Sequence, residues 1–349
     1  MKKILIINLG GIGDILLSFP ALKALRAFYP QAEIYGLFPW KLSGFAGELL
    51  YFNKVYTLNV GLGGQSLFNS IMYNFKTLLL LRKEHFDIAI NMRTIVSEKG
   101  AKKLKFILNV IDPKIKVGRD TDGRGYFFDI KIPETLIGEK YEMEYDIDTV
   151  KALGINVLDR EIDFMPAENS LNKINDILKK EGILRADVII GLHPGGKFSH
   201  RWPKENFIKM MEIICRDKPC SFVITGGQDE RGLADEIINR SKLKIVNFAG
   251  RINIKEFTGL IKRCSLFISN DTGPMHIAAV SKIPLIAIFG PGYLVRYDPR
   301  SISEETVVLY KKAECAPCDD TVCASLKCLK AITPEEVAAA AKLLLTGRK

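Results

Sequence analysis

Residues 266–277, Leu-Phe-Ile-Ser-Asn-Asp-Thr-Gly-Pro-Met-His-Ile, contain a turn suited to an anion. An apolar strand, Leu266 to Ser269, runs into Asn270-Asp271-Thr272-Gly273, and a helix is predicted to start at Pro274. Proline suits a first helical turn, and Asp271 or Thr272 can cap the N–H groups there. Unpaired N–H groups and the partial positive charge of a helix start favour a phosphate. Asp271 and His276 flank that place and add hydroxyl recognition, as a nucleotide sugar requires. The plainer reading makes Asp271 a cap and His276 a core residue.

Two further loops hold candidate chemistry. Asn8-Leu9-Gly10-Gly11-Ile12-Gly13-Asp14 invites comparison with the dinucleotide fingerprint G-x-G-x-x-G. Its best register places Leu16 where the third glycine belongs, and Asp14 would repel a pyrophosphate, which argues against a dehydrogenase. Gly11 and Gly13 let another molecule approach the backbone. Asp14, at the strand-to-helix turn, can take a proton from an acceptor hydroxyl or only cap the helix. Gly191 to Phe198 nearly matches the phosphate loop G-x-x-x-x-G-K-[ST]. Phe198 stands where a magnesium-binding hydroxyl is needed, which argues against a nucleoside-triphosphatase. Gly195 and Gly196 still offer N–H groups, and Lys197, His200 and Arg201 offer positive charge for a diphosphate. The alternative is a basic surface loop with Trp202 packed in the core.

Cys315, Cys318, Cys323 and Cys328 are separated by two, four and four residues. Four thiols in a short loop can hold zinc, hold an iron–sulfur cluster or form disulfides. No catalytic group lies nearby, so the stretch reads as a structural clip before the last helix.

Alternating strands and helices must position these loops. Strands are predicted at 4–8, 33–38, 54–58, 86–91 and 115–118, and helices at 14–28, with Pro20 inside, 66–84, 97–109 and 141–153. A short linker, 163–167, precedes a helix at 169–181. The pattern restarts with strands at 187–192, 220–225, 244–248, 266–269 and 284–289, and helices at 204–216, 229–240, 254–263 and 274–281. Thr333-Pro334-Glu335-Glu336 caps a closing helix at 334–346. Two such arrays imply two parallel-sheet domains, with ligands at the carboxyl ends of the strands. The segment Leu67 to Leu81 reads as a core helix in preference to a shallow membrane contact.

In order and spacing the three loops resemble glycosyltransferase family 9, typified by the lipopolysaccharide heptosyltransferases. The matching stretches are Gly10 to Pro20 with Ala21-Leu22, His193-Pro194-Gly195 through Arg201-Trp202-Pro203, and Asp271-Thr272-Gly273-Pro274-Met275-His276. A Cys-rich stretch before the last helix recurs in some members. The resemblance implies an α/β fold of GT-B type, two Rossmann-like parallel-sheet domains facing across a cleft. Residues 1–165 are expected to bind acceptor and 166–332 the nucleotide sugar, with 333–349 packing back on the first domain. The implied activity is inverting transfer with no cofactor or metal needed for catalysis, from ADP-heptose to the lipid A–Kdo inner core. Asp14 matches the family's base, Asp271 a donor-sugar contact, and Thr272, Gly273 and His276 the diphosphate turn. Several members carry lysine where this chain has His200, leaving Arg201 or Lys197 to substitute. Asp229 and Glu230, after Gly226-Gly227, fall where the ribose should sit. On the acceptor side Arg93, Arg119 and Arg124 offer cations to a phosphorylated or Kdo-bearing lipid; the alternative is three solvated arginines.

The chain has 349 residues, 47% hydrophobic and 26% charged, enough for two cores. Its net charge of +10 suits nucleic acid, a phosphorylated glycolipid or a membrane surface. With the resemblance, the glycolipid and the inner-membrane surface are the expected partners, and nucleic acid is not. Apolar stretches reach about ten residues, against the ~20 that cross a bilayer. Met1-Lys2-Lys3 and Ile4 to Ile7 imitate a signal peptide, but Asp14 and three glycines interrupt it. The expected location is the cytoplasm, peripheral to the inner membrane. Alternatives are a family member using another nucleotide sugar or acceptor, or a non-catalytic nucleotide-sugar or glycolipid binder with no need of Asp14.

Overall fold

A computed structural model describes residues 2–46, 49–60, 66–166, 168–184, 186, 188–217, 219–318 and 320–346. The last linker residue, 167, and the expected strand start, 187, lie outside these. Two compact units divide between Ile162 and Asp163.

The first unit runs β1 (Lys3–Ile7), α1 (Ile12–Leu17), α2 (Phe19–Phe28), β2 (Glu33–Pro39), α3 (Ser43–Ala46), β3 (Lys54–Leu58), α4 (Leu67–Arg82), β4 (Ile88–Asn91), α5 (Glu98–Ile111), β5 (Ile115–Thr121), β6 (Ile130–Glu134) and α6 (Glu142–Lys151). Its six strands pair in parallel, in the order β3-β2-β1-β4-β5-β6. Ile4, Leu5, Ile6 and Ile7 are all fully buried. A parallel strand covered on both faces is apolar throughout, and each such side chain contributes about 1.5–3 kcal/mol. The chain leaves β1 toward β2 and β3, then returns to place β4 on the other side. Ile7 therefore lies opposite Asn91, and the loops after β1 and β4 emerge side by side.

The predicted helix over 14–28 is two helices. Ser18 separates them, and Pro20 falls in the first turn of α2, where its missing N–H is no loss. The sixth strand, β6, escaped the sequence pattern because Pro133 interrupts it; an edge strand tolerates proline. Helix α4 is not the core helix expected. It lies against α5 and the edge strand β3 and buries only Ser70, Thr77, Leu78 and Leu81.

The second unit runs α7 (Glu168–Lys180), β7 (Ile189–His193), α8 (Lys204–Asp217), β8 (Ser221–Ile224), α9 (Arg231–Arg240), β9 (Ile245–Asn247), α10 (Ile254–Ile261), β10 (Leu266–Asn270), α11 (Gly273–Val280), β11 (Leu285–Phe289), α12 (Leu294–Tyr297), β12 (Thr306–Tyr310), α13 (Lys327–Lys330) and α14 (Pro334–Thr346). The strand order, β12-β11-β10-β7-β8-β9, is the order of the first sheet read from its other edge. Thr333 and Glu336 start α14 with the expected reciprocal cap, Thr333 N to Glu336 Oε2 at 2.9 Å and Glu336 N to Thr333 Oγ1 at 3.2 Å. This helix was expected on the first domain. It belongs instead to the second unit, where Val337, Ala338 and Ala341 join the core with Trp202, Phe207 and Leu329.

Candidate active site

Each sheet reverses direction beside its first strand, and a doubly wound sheet binds ligands in the crevice at that point. In the first unit the crevice holds Asp14. The residue stands at the third position of α1, where Oδ2 accepts the Gly11 N–H at 2.7 Å. The other oxygen, Oδ1, is paired with Arg93 from the loop after β4. Asn8 braces the turn: it accepts the Gly10 N–H at 3.2 Å and donates to the Asp14 carbonyl at 3.2 Å. Asn91 donates to the Arg93 carbonyl at 2.6 Å. Gly10 has to be glycine, because a Cβ there would meet Asp14 Oδ2 at 2.5 Å and Arg93 Cδ at 2.8 Å. Asp14 thus caps the helix and also presents an arginine-held carboxylate. Gly11 is exposed and Gly13 buried in α1.

In the second unit the crevice lies between β7 and β10. Ser269 pairs with His193 across these strands, so the turn after each emerges beside the other. Asn270, a residue sequence reasoning did not select, ties them: its Nδ2 donates to the carbonyls of Pro194 (2.9 Å) and Gly195 (3.0 Å), and its Oδ1 accepts the Trp202 N–H at 3.2 Å. Gly191 lies within β7, where a Cβ would meet Phe267 at 2.4 Å, so the partial phosphate-loop match begins inside a strand. Gly196 has φ +115°, and a Cβ would meet Thr272 Cγ2 at 2.4 Å. Thr272 stands at the start of α11 in extended conformation, its side chain not capping the helix, and Pro274 occupies the first turn. Asp271 and Gly273 are half-buried beside it, and His276 is buried in α11 against Tyr297.

The loop after β11 completes this crevice. A Cβ on Gly292 would meet Asp271 Oδ2 at 2.0 Å and His200 Nε2 at 3.6 Å. Gly292 thus brings Asp271 and His200 into one neighbourhood, which no local sequence pattern announced. His200 is itself buried, with Nδ1 3.1 Å from Ser199 Oγ. Lys197 is exposed and Arg201 half-buried.

Glu230, expected near the ribose, makes contacts within the protein that the sequence did not announce. Its Oε1 accepts the Gly196 N–H at 2.6 Å and its Oε2 the Gly227 N–H at 2.9 Å. Arg201 Nη2 lies 3.6 Å from the same carboxylate, and its Nε donates to the Gly196 carbonyl at 2.8 Å. Glu230 therefore clamps two glycine loops together, and the Gly196 N–H is taken by it instead of facing an anion. Asp229, next to it, is exposed. His193 is buried with Nε2 3.9 Å from Glu230. Burial holds its imidazole below the usual range against the pull of that carboxylate.

The three expected acceptor arginines stand in different surroundings. Arg119 is fully buried, paired with Glu134, Glu142 and Asp146, so it braces β5, β6 and α6 and cannot meet an acceptor. Arg124 is held by Asp122 at 3.1 Å and lies 3.5 Å from Glu98. Only Arg93 of the three stands beside Asp14.

The structure gives no support to a metal centre at the four clustered cysteines: among the described residues no group of three or more His, Cys, Asp or Glu side chains is arranged to hold an ion. All four are free thiols, and Cys328 faces the core. The loop is fastened by main-chain bonds instead: Cys318 N to the Pro291 carbonyl at 3.0 Å and Ser199 N to the Thr321 carbonyl at 3.3 Å.

The family model described as Glycosyltransferase family 9 (heptosyltransferase) matches residues 76–329. This chain belongs to glycosyltransferase family 9. Among its relatives is lipooligosaccharide heptosyltransferase 2 of Campylobacter jejuni, 27% identical over 96% of this chain and 95% of that protein. Two solved structures share the fold of this family-9 glycosyltransferase. The family-9 glycosyltransferase of Veillonella parvula superposes with TM-score 0.77 at 21% identity, covering 99% of this chain and 97% of the other. Escherichia coli ADP-heptose lipopolysaccharide heptosyltransferase II superposes with TM-score 0.72 at 20% identity, covering 99% of each. The α/β fold is that of the GT-B glycosyltransferases. No helix among the described residues is long and apolar enough to cross a membrane.

Proposed function

We propose that this family-9 glycosyltransferase moves a heptose from ADP-heptose to the inner core of lipopolysaccharide, with inversion and with Asp14 as general base. The observation that carries the reading is Asp14 itself, a carboxylate at the carboxyl end of β1, fixed by the Gly11 N–H and by Arg93. The names of the relatives supply the donor and the acceptor. In the reaction an acceptor hydroxyl oxygen attacks the anomeric carbon from the face opposite the diphosphate. Asp14 takes the hydroxyl proton as the new C–O bond forms, and the bond to ADP breaks with its electron pair leaving on the phosphate. Arg93 holds the carboxylate in line. The α11 start, Lys197 and Arg201 stabilise the departing diphosphate, replacing a metal ion with fixed dipoles and charges. Asp271 and His200 meet the donor where Gly292 leaves room. The second unit is the donor side and the first the acceptor side, at or near the inner-membrane surface.

Asp14→Asn tests the reading. The amide keeps the shape but cannot accept the proton, so turnover of ADP-heptose should fall by about 10²- to 10⁴-fold with ADP affinity unchanged. Turnover at the wild-type level would sink the base assignment alone; only a wild-type protein that binds ADP-heptose without turning it over would favour the non-catalytic binder.

A further inference from the structure

Helix α4 is largely apolar, yet most of it faces solvent. Its sixteen residues carry only two charges, Lys76 and Arg82, and no acid. Phe68 is 69% exposed and Leu67 62%, and Ile71, Met72, Phe75 and Leu80 are exposed beside them. A helix of this composition is ordinarily covered, and contiguous apolar surface of this kind marks an interaction site. The flank is basic: Lys99, Lys102 and Lys103 of the neighbouring α5 are exposed. Between the two helices opens a cavity of about 830 Å³, lined by Ile71, Leu78, Phe106 and Ile107 and reaching Asn91 and Arg93.

We infer that α4 and the lysine edge of α5 are the face by which this protein sits on an anionic lipid bilayer. The apolar side chains of α4 enter the boundary between headgroups and acyl chains, and the lysines lie over the anionic headgroups. Charge decides against a second copy as the occupant. A two-fold dimer through this face would set the same lysines of both copies around one patch, whereas an anionic surface attracts them. The cavity gives the assignment a purpose that rests on the proposed transfer: a lipid-borne acceptor would enter from the bilayer side and meet Arg93 and Asp14.

Vesicle flotation tests the face without donor or turnover. The full chain should bind phosphatidylcholine vesicles containing about a quarter phosphatidylglycerol, and bind less as salt rises. Replacing Lys99, Lys102 and Lys103 with glutamine should weaken binding by about 100-fold, near fivefold for each charge. Phe68→Ser, Met72→Ser and Phe75→Ser together should cost at least about tenfold while leaving the melting temperature and turnover of a delipidated acceptor unchanged. In an independent readout, the emission of a Phe68→Trp variant should shift to the blue on adding the same vesicles. Wild-type protein that does not float, serine variants that bind as wild type, or an unshifted emission from the tryptophan variant would each overturn the assignment. So would self-association in sedimentation velocity that the serine variants abolish. Floating protein with no transferase activity would instead count against the transfer reading alone.

Discussion

Gly196 shows how little room the loop after β7 leaves. Its φ of +115° excludes an ordinary side chain, and a Cβ would sit 2.4 Å from Thr272 Cγ2. Gly196→Ala should therefore displace the loop or Thr272, at a cost of about 1–3 kcal/mol. Steady-state kinetics should show the donor KM raised about tenfold or more with a smaller change in kcat. Adding Thr272→Ser removes the clashing methyl and should recover part of the loss; no recovery would refute the steric part of the argument. The turns that carry Gly195, Gly196, Asp271 and Thr272 were legible in the chain because turn chemistry is local. Asn270 and Glu230 were not understood, because what they do depends on loops 75 and 34 residues away in sequence. Arg119 was misread for a related reason. An arginine in a strand looks the same in sequence whether it meets solvent or three carboxylates from β6 and α6.

Among the elements, that acid cluster gives α6 a measurable pH signature. Asp146 is buried, and burial, with Glu142 and Asp14 nearby, pushes its carboxyl up to about 8 against the lowering effect of Arg119. The folded value lies above the unfolded one, near 3.9. Between the two, the folded state binds more protons, so stability falls as pH rises from about 4 through 8. Urea titrations across that range should show the decline, and Asp146→Asn should flatten it; an unchanged slope would show that Asp146 is ionised in the folded protein. Periodicity made β1, β7 and most helices readable. The edge strands β6 and β12 were missed, since neither is the fully buried apolar run that marks a central strand. Exposure of α4 was missed as well, because an apolar helix reads alike whether core or lipid is its neighbour.

At the scale of the whole chain, two units repeat one strand order. Strand–helix alternation made both sheets legible, whereas the place of the last helix depended on tertiary packing that periodicity does not encode. Because α14 completes the second core, Val337→Asp would place a carboxylate among Trp202, Phe207 and Leu329. Such a substitution should cost more than about 4 kcal/mol. Calorimetry should show the transition of the second unit lowered and that of the first unchanged; a shift in both would show that the units unfold as one.

The shared strand order also sets when each crevice can exist. Asp14 and Arg93 are 79 residues apart, and Asn270 reaches back 76 residues to Pro194. In each unit the chain must first lay down three strands on one side, then cross over and dock the fourth against the first. Contacts of such long range close late, since their loop entropy is spent before they are formed. A nascent chain stopped short of residue 93 holds the acid without its arginine, and one stopped short of 270 holds the glycine loop without its tether. Each crevice is therefore complete only once the fourth strand of its unit has docked against the first.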